Sequence, residues 1–343
     1  MKTDELKTKE IVFCAFKNPV IYKNTESDFP TPIPIPVPQP PAVDSQTQTQ
    51  ETPQTNNTQL NGNKILNSLD DQKAIMKYQN LLIESSDEEI KLIVNDLKGK
   101  YRELILDKNG NFFCKDLFKT CDRNERIEIL KELSPTLSVD CRDNHATHPL
   151  QALIEYSSSS EEYELILSSF IENNNILSAS TNNNGAYVIQ KIIARIPQRF
   201  RNKFNAIFIS FFLDISKQKY GIISAKKFIE NTKGKTITQN IMNIIRNNFF
   251  DLAKDKFGNY LIPFLLEKWN NYPEVEEIKN LIIKNKEFLS NAKIPTETSH
   301  VFKKIWENDK SETINSNKLN EQLEGNNQLM NLLKINEDNV VSP

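Results

Sequence analysis

Glycine is scarce in this sequence: 343 residues contain only eight, where average usage of about 7% would supply roughly 24. Sheet-rich folds place glycine at turns and bulges, so the shortage argues against them. No GxGxxG or GxxxxGK[ST] string occurs, which excludes the glycine-rich phosphate-binding loops. Cysteine (four) and histidine (three) are also few. Cys14, Cys114, Cys121 and Cys141 show no paired metal-ligand spacing, and the histidines do not join them in a zinc-like pattern. Neither a metal site nor a cofactor is expected, and the cysteines read as reduced structural thiols. Long apolar runs are missing as well. Ile11 to Phe16 is too short for the core of a secretion signal, and nothing approaches the ~20 apolar residues of a membrane span. A soluble, intracellular chain is expected. The net charge of −2 excludes a uniformly basic surface but leaves room for a local basic face. No nucleophile–base set or paired-carboxylate motif stands out, so an enzyme is not expected.

What is present falls into three parts. Proline is concentrated, with half of the 16 between Pro30 and Pro53. The alternation from Pro30 to Pro41 favours extended polyproline II, and Gln, Thr and Asn then dominate to about Asn63. Residues 1–63 therefore read as a disordered tail, because such a composition cannot bury enough apolar surface to offset chain entropy. The apolar island Ile11 to Tyr22 within it reads as a weakly structured patch or a short docking motif. Residues 64–310 carry helical patterning, with apolar residues three and four apart, as at Leu130, Leu133 and Leu137. Prolines there thin to single punctuators such as Pro197 and Pro273. Residues 311–343 form a second polar tail, in which Leu319 to Ile335 could make an amphipathic helix.

The remaining glycines mark a repeat. Gly110, Gly185, Gly221 and Gly258 each follow a short polar turn (DKNG, NNNG, KQKYG, DKFG) and precede an apolar helical run. Ala146, in DNHA, holds the equivalent place, giving successive separations of 36, 39, 36 and 37 residues. A weaker match lies near Thr298. Such a period with helical patterning means a helical solenoid whose units must stack to bury their apolar faces. The glycine reads as the point where the backbone bends sharply into each helix.

Aligned on these anchors, the segments read GNFFCKDLF, ATHPLQALI, GAYVIQKII, GIISAKKFI, GNYLIPFLL and TSHVFKKIW. They resemble the Pumilio (PUF) repeat, whose core reads GNYVIQ. GNYLIP and GAYVIQ lie close to it, and DNHATHPLQALIE resembles a second phrase of that family with Ala146 in place of glycine. The resemblance covers about 240 residues and six repeats. It implies an all-α, right-handed α-solenoid, a curved superhelix that holds single-stranded RNA with one base read per repeat.

The physics of the segment suits that reading. Residues at i and i+4 of a helix lie one turn apart on one face and can present two hydrogen-bonding groups to the edge of one base. The residue at i+1 projects about 100° away, where a flat group can slot between bases at about 1–3 kcal/mol per base. Carried over from the resemblance, the edge-reading pairs are Asn111 with Lys115, Thr147 with Gln151, and Ala186 with Gln190. They continue with Ile222 and Lys226, Asn259 and Pro263, and Ser299 and Lys303. The stacking places are Phe112, His148, Tyr187, Ile223, Tyr260 and His300.

The departures matter. In the family, Asn and Gln around a tyrosine read uracil, and Ser with Glu reads guanine. No Ser/Glu pair occurs here, Asn259 is paired with Pro263, and Ile222 has no polar side-chain atom. Altered or looser specificity than the family's UGU element is expected.

Charge is uneven. From Gly185 to Lys310 there are 22 Lys and Arg against 12 Asp and Glu, whereas from Met76 to Asn184 there are 12 against 19. Phosphate contacts are expected from the second half, at Lys191, Lys226, Lys227, Lys303 and Lys304. Glu161, Glu162 and Glu164 read as part of an outer helix turned away from RNA. The resemblance implies binding to mRNA 3′ untranslated regions and control of translation or stability by a cytoplasmic monomer. Protein effectors would be recruited through the proline-rich tail. Two alternatives are a protein-interaction scaffold with drifted repeats and a nucleolar ribosome-biogenesis member of the wider family.

Overall fold

A computed structural model of the chain describes residues 60–171 and 174–311, with a few single positions up to 324. The proline-rich segment, the Ile11–Tyr22 island and most of the Leu319–Ile335 stretch lie outside the described residues. Within them every element is helical, and the helices come in threes.

The first member of each triplet is short: Gly62–Leu66, Tyr101–Leu106, Leu137–Asp140, Asn175–Thr181, Phe212–Ser216 and Phe249–Lys254. The second helices are Gln72–Glu84, Gly110–Thr120, Thr147–Tyr156, Gly185–Arg195, Gly221–Asn231 and Leu261–Lys268, the last entered through a 3-10 turn at Gly258–Tyr260. The third are Asp87–Asp96, Arg123–Leu133, Ser160–Ile171, Gln198–Ser210, Lys235–Asn247 and Pro273–Lys284. A seventh unit begins with Lys286–Asn291 and continues in a helix over residues 296–311.

Local chemistry sets the boundaries. The third helices Asp87–Asp96 and Arg123–Leu133 start with reciprocal capping boxes, Ser86 with Glu89 and Asp122 with Glu125, which satisfy N–H groups no helix can pair internally. Pro273 opens its helix, where its missing N–H costs nothing.

Each helix type packs on its own kind in the next unit. The second helices pack closely along their length, while the third helices meet more loosely. A stack with one tight and one loose row curves towards the tight row, so the second helices line the inner side. The core is a continuous file of Leu, Ile and Phe between the rows. In the middle of the array Phe208 stacks on Phe228 at a ring separation of 4.3 Å, with Phe204 and Phe212 beside them. The three described cysteines are buried and free. Burial pushes the Cys141 thiol up to about 12 and the Cys114 and Cys121 thiols further still, which makes them unreactive packing groups. No described helix is long and apolar enough to cross a membrane.

Candidate nucleic-acid interface

The turn before each second helix repeats one device. Asp107 Oδ1 accepts from the N–H groups of Asn109 and Gly110 at 2.8 and 2.7 Å. Asp143 does the same for His145 and Ala146, Asn182 for Asn184 and Gly185, and Asp255 for Phe257 and Gly258. The glycine is not required for a sharp bend, as the sequence pattern suggests. The positive-φ glycines are Gly99 and Gly234, not the repeat anchors. What the anchors provide is close approach. A Cβ at Gly185 would lie 2.5 Å from Ala179 O, and one at Gly221 would lie 2.1 Å from Ile215 O. At Gly110, Gly185 and Gly221 the start of the second helix is pressed on the carbonyl six residues back, and this seats that helix on its unit.

Where the pattern puts the first edge-reading place, the structure puts the seam between neighbouring second helices. Asn111, Thr147, Ala186, Ile222 and Asn259 are all at most 3% exposed, and Ser299 is half-buried. Their polar atoms are engaged within the protein, as buried polar groups must be. Asn111 Nδ2 donates to the carbonyls of Asp107 and Lys108, and Thr147 Oγ1 donates to Asn184 O. Asn259 Nδ2 donates to the carbonyls of Asp255 and Lys256, while its Oδ1 accepts from Thr298 Oγ1 at 2.7 Å.

The stacking places face outward, unevenly. Phe112 is 47% and Tyr187 43% exposed, large values for apolar rings. His148 and His300 are also exposed. Burial, then Lys115 and His145, lower the His148 pKa. Ile223 and Tyr260 are half-buried. The first triplet, which precedes the six aligned segments, adds a further position. Met76, 57% exposed, lies 36 residues before Phe112 at the same place, and Gln79 lies 36 before Lys115. Gln79 Nε2 donates to Asp116 Oδ2 at 2.5 Å and to Phe112 O at 3.3 Å. The spacing to Gly110 was the available signal, but Ala74 stands where a glycine would have flagged it.

The third places divide in two. Gln151 and Gln190 are half-buried and bond back to Thr147 and Ala186 through Nε2. Lys115 and Lys303 are exposed. Lys226 is half-buried, with its ammonium 5.5 Å from the Tyr260 ring and 5.2 Å from the Phe264 ring. Burial lowers its pKa against the opposing pull of Glu297, Glu267 and Glu230. Burial also raises the Tyr260 pKa, and so do the charge of Glu297 and a hydrogen bond to it. Pro263 is half-buried and has no polar side-chain atom to present.

Of the lysines assigned to phosphate, Lys191 is tied to Glu155 of the neighbouring second helix and Lys227 to Glu230 at 3.2 Å. Lys303 and Lys304 project from residues 296–311 into solvent. In the outer helix Ser160–Ile171, Glu161 is exposed, but Glu162 is fully buried. It pairs with Arg126 of the preceding third helix at 2.8 Å and accepts from the N–H groups of Ser158 and Ser159.

Neighbouring helices pack about 8–10 Å apart, whereas stacked bases rise about 3.4 Å. A flat side chain between each pair of bases brings base spacing towards unit spacing. The exposed rings of consecutive units, Phe112, His148 and Tyr187, are therefore matched to a single strand of bases. A sequence profile described as the Pumilio-family RNA binding repeat matches residues 100–134, 175–203 and 248–280, each on one of the structural units. The chain carries Pumilio-family RNA binding repeats at these three places. Pumilio homolog 12 of Arabidopsis thaliana is 23% identical over 217 residues, covering 61% of this chain and 36% of the relative. A Pumilio domain-containing protein of Schizosaccharomyces pombe is 26% identical over 235 residues, with 68% and 34% covered. The chain thus spans about a third of the length of these curated relatives. Among solved structures, the Puf4 RNA binding domain bound to the HO endonuclease RNA 3′ UTR recognition sequence superposes with a TM-score of 0.63 at 23% identity, over 67% of this chain and 72% of that one. The RNA-binding domain of yeast Puf5p bound to SMX2 RNA gives 0.61 at 22%, over 70% and 68%. These likenesses establish the repeat solenoid for this chain.

Proposed function

We propose that this chain binds single-stranded RNA along its row of second helices and acts on mRNA 3′ untranslated regions to control translation or stability. The observation that carries the reading is the ring that recurs, exposed, at one phase in consecutive units: Phe112, His148 and Tyr187. Bases stack between these rings, and Gln79, Lys115, Gln151 and Gln190 stand beside them to meet base edges. The buried first places act mainly by holding neighbouring second helices together. The protein works by occupancy and not by chemistry, as a cytoplasmic monomer.

One observation favours the scaffold reading for the second half. Around Tyr260 the ring is covered by Lys226, and the Asn259 amide is already taken by Thr298. Selection from a random single-stranded RNA pool on the purified full chain separates the two. A family of enriched sequences is expected, and a pool that does not enrich would leave the scaffold reading standing.

A further inference from the structure

The third-helix row carries a second recognition surface. Between the helices Gln198–Ser210 and Lys235–Asn247, on the side away from the rings, lies a groove of about 340 Å³. Its cations are Arg201, Lys233 and Lys235, and no carboxylate lines it. Neither of the two helices contains an Asp or Glu. Of the other cations on these helices, Arg199 is paired with Glu164 and Arg246 with Glu277, while Lys203 is exposed. Among the described residues Arg201, Lys233 and Lys235 have no carboxylate partner, and both lysines are exposed. Arg201 donates only a long bond, 3.4 Å, to Asn231 O.

The rest of the lining chooses the ligand. Asn202, Asn205 and Asn240 offer carboxamides, each an acceptor beside a donor, which is the pattern a peptide unit presents. Asn202 and Asn205 lie on one face of their helix at i and i+3. No aromatic ring lines the groove, so nothing there can stack a base, the main sequence-tolerant contact to single strands. We infer that this groove docks an extended acidic segment of a partner protein, with the carboxamides pairing its backbone and the three cations its carboxylates. The site is independent of RNA held on the opposite row.

Fluorescence anisotropy on the full chain tests it, with a short labelled peptide of alternating Glu and Leu as probe and labelled oligouridine as the nucleic-acid arm. The acidic peptide should bind, and Lys233→Glu/Lys235→Glu should raise its Kd by about tenfold or more. Asn205→Ala should weaken it less, and Tyr187→Ala not at all. Both lysines are solvent-exposed, so the charge variant should keep its helical circular dichroism and melting point. The inference fails if the wild-type chain does not bind the peptide or if the charge variant binds it equally. It fails too if that variant loses oligouridine and keeps the peptide, because the groove would then belong to nucleic acid.

Discussion

The units up to Arg195 and those from Phe212 onward share one architecture and divide its work differently. In the first region the rings are open: Phe112, His148 and Tyr187 stand in solvent, and carboxylates outnumber cations in its sequence. In the second the cations are plentiful, but of its ring places Ile223 is aliphatic, Tyr260 is covered by Lys226, and only His300 is open. Shape complementarity to bases and electrostatic attraction to phosphates are thus displaced along the array. A uniform repeat protein would offer both in each unit. Here the first region should decide which bases are held, and the second should set the dependence on salt.

The largest expected difference between the regions is in stability. In the first, Glu162 is buried against Arg126; in the second, the comparable third-helix pair of Arg246 and Glu277 is exposed. Glu162→Gln should destabilise the fold by about 3–5 kcal/mol, since it leaves a buried charge without its partner. Glu277→Gln should change it by about 0–1 kcal/mol. Burial works to raise the Glu162 pKa, but hydrogen bonds from Ser158, Arg126 and Ser159 outweigh it and lower it below the ordinary 4.5. A depressed carboxylate contributes stability that is fully present above its unfolded value and lost as pH falls through the folded value. Thermal melts from neutral to acid pH should therefore show the gap between wild type and Glu162→Gln narrowing as pH falls from the ordinary carboxylate value through the lowered Glu162 value. A gap that stays constant with pH would remove the ionised pair from the account.

A smaller effect separates the regions by salt. Lys303→Ala/Lys304→Ala should lower the slope of log affinity against log salt concentration by about 0.7 for each phosphate that then goes without a cation. It should leave melting unchanged, because both side chains are exposed. Titrations of RNA at several salt concentrations measure this slope. An unchanged slope would move phosphate binding elsewhere on the molecule.

How much of this was legible in the sequence depends on the range of the interaction. The turn before each second helix is local, so DKNG, DNHA, NNNG and DKFG exposed the period. Gly185 and Gly221 remained glycine because a Cβ would strike backbone six residues back. The ring phase was likewise readable, since one helical turn fixes which side chains share a face. Burial of Asn111, Thr147 and Asn259 was not, because a helix alone leaves that face open and only the neighbouring unit closes it. Glu162 looked like part of a solvated acidic run for the same reason. Its partner Arg126 lies 36 residues back, one period away, as does the Glu155 partner of Lys191. Opposite charges separated by one period were the signal that could have revealed both pairs.

The central claim is that RNA lies on the open rings of the first region. Affinity for a pool-selected RNA, compared between wild type, Phe112→Ala/Tyr187→Ala and Tyr260→Ala, tests it most directly. At about 1–3 kcal/mol per stacked base, the double variant should lose at least tenfold in affinity while keeping its helicity. Tyr260→Ala should lose less. Equal affinity of the double variant and wild type, or a larger loss at Tyr260, would contradict the account.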